Sequence, residues 1–238
     1  MFHPKAVLQF AAVFVVAFLP LWGFASKAQT AYAPWFRGVG NACFASQFWF
    51  WSDGRVVFLD NSSDTLVSDI NRVIPGELPE DFKKLRALEK RGERDTLLVL
   101  LNRTVPTVPG FTRTSSHMIG YAPTAVVIAL ALATPIAWRR RAWLLLVATV
   151  LVHGLIVLRL TVVILKNGFA AEKRFALFHP SEFWWDVLSR ADLVLADNPT
   201  IAYLSAVFPW ILALLVVSLY PLIHARVFAK RRTRRAKI

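Results

Sequence analysis

Of 238 residues, 56% are apolar and 18% charged, and 28 Lys+Arg stand against 15 Asp+Glu; mean hydropathy is +0.48. So much Leu, Val, Phe and Trp excludes a disordered chain, and a single cysteine excludes a disulfide-stapled scaffold. The composition is that of an integral membrane protein with a basic excess.

In chain order, a short N-terminus (1–5) precedes a first apolar run over 6–24, AVLQFAAVFVVAFLPLWGF. Its 19 residues suit a bilayer-crossing helix, which needs roughly 17–25. Lys5 and the small residues of GFASKAQT keep a cleaved signal peptide as the rival reading. The run is longer than the roughly 7–15 residues of a signal core, and this favours an uncleaved anchor.

The segment 25–120 is long enough for a small domain. Cys43–Trp51 and Arg55–Asp60, joined across Ser52-Asp53-Gly54, read as a β-hairpin. Thr65–Ile74 fits strand or helix, and Pro75-Gly76 then breaks the chain. Pro79–Asp95 reads as a helix, with acids at its start and Phe82, Leu85 and Leu88 on one stripe, ending near Gly92. Thr96–Val105 is a continuous apolar run of strand length. A small α+β domain is therefore expected between the first and second spans.

Further runs at 121–138, 142–165 and 201–223 predict three more spans, giving an α-helical membrane protein with four transmembrane helices. Arg139, Arg140 and Arg141 fill the turn at 139–141. In the loop 166–200, Ser181 can cap a helix whose Trp184, Val187, Leu188, Ala191 and Leu195 share a face, with acids opposite. Such a helix suits the membrane surface or the underside of the soluble domain. Pro209 falls in the middle of the last span, and 224–238 is a basic tail.

Charge sets the orientation. The N-terminus, the arginine turn and the tail hold eleven basic residues and no acid, whereas 25–120 and 166–200 are nearly balanced. By the positive-inside rule both termini are cytoplasmic in an inner (plasma) membrane, and the two mixed segments lie outside. The tail KRRTRRAK begins just after a span, so its partner is the anionic headgroup layer rather than nucleic acid.

Trp49 and Trp51 share one face of the expected strand. With Trp184 and Trp185 they are candidates for contact with lipid headgroups or a partner protein. Arg159 is a charge inside a span, roughly 9 Å below its outer end. No Asp or Glu lies in any span to pair with it. It can snorkel to headgroups, donate to carbonyls of a kinked neighbour, or hold an anionic lipid phosphate or peptide carboxylate. His153 lies near the middle of the same helix, where bonding across helices to Ser205 or Tyr203 competes with a proton-transfer role. Cys43 reads as a small buried residue, an intermolecular disulfide site or a nucleophile. His117, His153 and His179 lack metal-ligand spacing, and no cofactor motif occurs.

A polytopic chain with one Cys, an embedded Arg and a His resembles the exosortase/archaeosortase proteins, membrane transpeptidases that process C-terminal sorting signals. That resemblance implies Cys43, Arg159 and His153 or His179 as catalytic candidates. The thiol sits in Asn41-Ala42-Cys43-Phe44-Ala45 rather than the family's small-residue context, and a long domain separates the first two spans. This fits an accessory protein beside such an enzyme better than the enzyme. The expected function is a non-enzymatic accessory or scaffold protein of envelope assembly, export or protein processing. A transpeptidase or protease using Cys43, and a transporter or lipid-handling subunit using Arg159, are the alternatives.

Overall fold

The computed structural model describes residues 4–23, 25–44, 54–61, 65–74, 95–102, 110–167, 181–195 and 206–219. The fold is mostly α-helical with a small open sheet, and the chain divides into two compact units. One comprises Met1–Gly23, Pro123–Gly154 and Tyr203–Ile238, the other Phe24–Ala122 and Leu155–Ala202. Among the described residues two helices, α1 (Pro4–Gly23) and α5 (Trp138–Asn167), are long and apolar enough to cross a membrane. Apolar stretches at His117–Ala133 and Ala206–Leu219 are shorter.

The second unit is built on three antiparallel strands in the order β1-β2-β3: Gly54–Asp60, Thr96–Asn102 and Gly110–Thr114. β2 is central, and its apolar run is buried on both faces. Leu97, Val99 and Leu101 join Val57 and the helix α3 (Leu66–Val73) in one cluster with Ile70 and Ile74. Leu66, Ile70 and Ile74 recur at helical spacing, which resolves the ambiguity of 65–74 in favour of a helix. On the opposite face Phe58, paired with Leu98, meets Phe36 and Phe44 of α2 (Ala25–Phe44).

α2 corrects the hairpin expected from Cys43 onward. Cys43 and Phe44 close a helix, and the partner of Gly54–Asp60 is Thr96–Asn102. The physical reason is a stripe of buried positions at Ala33, Phe36, Gly40 and Phe44, a spacing that only a helix brings to one side. Helix breakers Pro34, Gly38 and Gly40 obscure that stripe in the sequence. The aromatic run Phe48–Trp51, with Trp49 and Trp51, lies outside the described residues, as do the helix expected from Pro79 and the tail 224–238.

A π-helical turn, His117–Tyr121, leads into α4 (Ala122–Ala133). The expected arginine turn also needs correction: Arg139, Arg140 and Arg141 lie in the first turn of α5. The reversal itself falls at Thr134–Ala137, because Pro135 has no N–H and disfavours helical backbone at the residue before it. In the first unit, Thr134 Oγ donates to Leu130 O at 2.7 Å and accepts from Trp210 Nε1 at 3.0 Å, tying α4 to α7 (Ala206–Leu219). Arg141 folds back onto the carbonyls of Thr134 and Ile136 at 3.1 and 3.4 Å, a cation at the negative end of α4. No residue of α1 is buried; its Phe14, Phe18 and Trp22 form a ladder of rings.

Candidate functional site

Arg159 and Lys166 stand seven residues apart on α5, about 20° short of two full turns, so both face the same way. Opposite them, within the second unit, runs α6 (Glu182–Leu195), which begins directly after Ser181. Lys166 pairs with Asp192 through Nζ and Oδ2. Arg159 donates from Nε to the carbonyl of Leu195, the last residue of α6, at 2.6 Å. The last four carbonyls of a helix have no partner within it and carry its negative pole. A guanidinium is therefore stabilised there without a carboxylate.

Burial makes this contact consequential. Arg159 is 2% exposed, and Ile156, Leu160, Val163 and Ile164 around it on α5 are also buried. Its Nη1 nitrogen is buried with no hydrogen-bond partner among the described residues. Of the three roles that the sequence allows Arg159, the bond made is that to a neighbouring helix's carbonyl, and one charged donor is left over.

The placement of Asp192 corrects the expected layout of α6. Asp192 is buried on the face shared with Leu188 and Leu195, and Lys166 supplies the charge that makes this tolerable. Trp184, Trp185 and Val187 are exposed, together with Phe183, Leu193 and Val194. The Asp186–Arg190 pair on that outer side is solvent-screened and contributes little.

The other candidates fall in separate parts of the structure. Cys43 is a half-buried free thiol near the end of α2, with no hydrogen-bond partner among the described residues. His153 belongs to the first unit, and its Nδ1–H donates to Thr149 O at 2.7 Å, one turn back in its own helix. Tyr203, Ser205 and His179 lie outside the described residues. Among those described, no three His, Cys, Asp or Glu side chains gather in a way that could hold a metal ion.

Three polar joints escape a reading of the sequence alone. Asn41 of α2 donates from Nδ2 to Phe58 O at 3.0 Å and accepts Phe58 N–H on Oδ1 at 2.8 Å, standing in for a further strand at the sheet edge. Arg37 pairs with Asp60 at 2.6 Å. Asp95, just before β2, accepts the N–H of Ser116 at 2.8 Å and also its hydroxyl. A carboxylate thereby caps the start of the helix that follows β3. Ser115-Ser116 before an apolar run was the available signal for that cap. Compared with protein-family models, curated proteins and solved structures, the chain matches none.

Proposed function

We propose that the chain is a non-enzymatic, four-span inner-membrane protein with both termini cytoplasmic, serving as an accessory or scaffold protein in envelope assembly, export or protein processing. One observation carries this reading. The two mixed-charge segments, 25–120 and 166–200, are separated in sequence by two apolar runs, yet they fall in a single compact unit. Chain threaded with its basic segments on one side would gather these two segments on the other. In this reading α6 sits at the outer headgroup level, with Phe183, Trp184 and Trp185 as interfacial aromatics, and the sheet with α2 and α3 forms the partner-binding body.

The polar side chains resolved in that body support scaffold over catalyst. Asn41, Arg37, Asp60, Asp95 and Ser116 all join one element to another. The transpeptidase reading needs a base within roughly 3 Å of the thiol. Among the described residues Cys43 has none. Two measurements test the proposal. Compartment-sensitive reporters fused at Asp95 and after Ile238 should report opposite sides; the same side for both refutes the topology. A Cys43→Ser chain should complement a deletion strain as well as the natural chain does, and loss of complementation with intact expression refutes the non-enzymatic role.

A further inference from the structure

We propose that Arg159 is the seat of a phosphate-bearing anion, and specifically of the headgroup phosphate of an anionic lipid in the outer leaflet. The inference rests on the membrane reading above. Its first support is charge. The facing sides of α5 and α6 bring two cations, Arg159 and Lys166, against one carboxylate, Asp192, and the negative pole of α6. Asp192 answers Lys166, and among the described residues Arg159 is left with only that pole, which amounts to roughly half an elementary charge.

The second support is geometry. Nε is engaged by Leu195, but Nη1 on the same 2%-exposed side chain has no partner among the described residues. A guanidinium presents its donors as a planar fork suited to two oxygens of a phosphate. The third is depth. Seventeen residues separate Ala142, the first residue past the arginines, from Arg159. That rise of about 25 Å takes the side chain close to the far boundary of a hydrocarbon core of about 30 Å, where lipid phosphates lie.

Nη1 is buried in this conformation, so loading requires a local opening, in which the Nε–Leu195 bond is the contact that yields. Lys166, two helical turns along the same face, is paired with Asp192 and keeps α6 tethered to α5.

The test uses the full chain in phosphatidylcholine nanodiscs doped with a photoactivatable phosphatidylglycerol, with labelled peptides mapped by mass spectrometry. Label is expected on the last turns of α5 and α6 in the natural chain. Arg159→Gln should lower it there by about tenfold or more, the scale of one charge-assisted hydrogen bond, whereas the exposed Arg190→Gln should not. Protection of the same peptides from label by inorganic phosphate would make free phosphate the ligand of the site and refute the lipid assignment. Label confined to other segments of the natural chain overturns the proposal without recourse to a variant. Alkaline carbonate extraction runs in parallel: release of the chain from vesicles refutes the membrane reading. A chain that is retained but unlabelled at α5 and α6 refutes the phosphate site alone.

Discussion

Two glycines two residues apart in α2 should respond to alanine with opposite signs. A methyl group on Gly40 would lie 2.7 Å from Cδ1 and Cε1 of Phe58 and 2.9 Å from Cγ, against a comfortable carbon–carbon separation of about 3.5–4.0 Å. Phe58 cannot easily yield. Its ring is stacked on Phe44 and edged by Phe36, and its backbone is held on both sides by Asn41. Overpacking of this kind costs about 2–3 kcal/mol, and the helix preference of Ala over Gly returns about 1 kcal/mol, leaving Gly40→Ala roughly 1–2 kcal/mol less stable. At Gly38 nothing lies within 4 Å, so Gly38→Ala keeps only the gain, about 0.5–1 kcal/mol. For a chain of this length 1 kcal/mol moves Tm by about 2–4 °C, so the two variants should separate by roughly 5 °C. Thermal unfolding of the full chain in mild detergent, followed by tryptophan fluorescence, measures this. If Gly40→Ala raises Tm as Gly38→Ala does, α2 does not lie against the sheet as described.

Asn41→Ala should cost about 1–3 kcal/mol by stripping both backbone groups of Phe58 of their partner; amide exchange at Phe58 should accelerate while that at Val99, in the central strand, should not. Asp95→Asn keeps one acceptor for two Ser116 donors and should cost about 1–2 kcal/mol, read as a lower Tm. Asp95→Glu, with its longer reach, should not restore it. Thr134→Val removes the acceptor of the Trp210 indole N–H at nearly constant volume, for about 1–2 kcal/mol. Thr134→Ser should recover most of that loss, and equal stability of the two variants would refute the role given to the hydroxyl.

What could be read from the sequence was set by how local the physics is. α1 and α5 follow from the length of their apolar runs, and β2 from an unbroken run that only a strand covered on both faces requires. Ser181 marks the start of α6 because an N-terminal cap is a one-residue signal. α2 was illegible for a different reason: its core contact uses Gly40, a residue read locally as a breaker, to let Phe58 approach. The acids of α6 are expected opposite its apolar stripe, but Asp192 lies on the buried side, where Lys166 of another helix supplies its counter-charge, a partner that no local pattern shows. Arg159 stood out as a charge in an apolar run, but its partner is a backbone carbonyl 36 residues away. Any residue type supplies a carbonyl, so no sequence pattern could identify it.

Five polar side chains among the described residues act in the same way. Asn41 fills an open strand edge, Asp95 caps a helix start, Thr134 and Arg141 close a helix end, and Arg159 sits at another. Each bonds to backbone groups that secondary structure leaves unpaired, which in a chain more than half apolar are the costliest groups to leave bare. Arg141 and Arg159 also show why arginine serves at the helix ends. A carbonyl pole carries only part of a charge, and a planar cation with several donors can hold it while keeping donors to spare. The spare donor is Nε at Arg141 and Nη1 at Arg159, and both atoms are buried without a hydrogen-bond partner among the described residues; the Arg159 side chain as a whole is the more deeply buried, at 2% exposure. Arg141 already holds two carbonyls and lies over the Trp138 ring, whereas Arg159 holds a single carbonyl, and that difference singles out Arg159 as the place to look for a ligand.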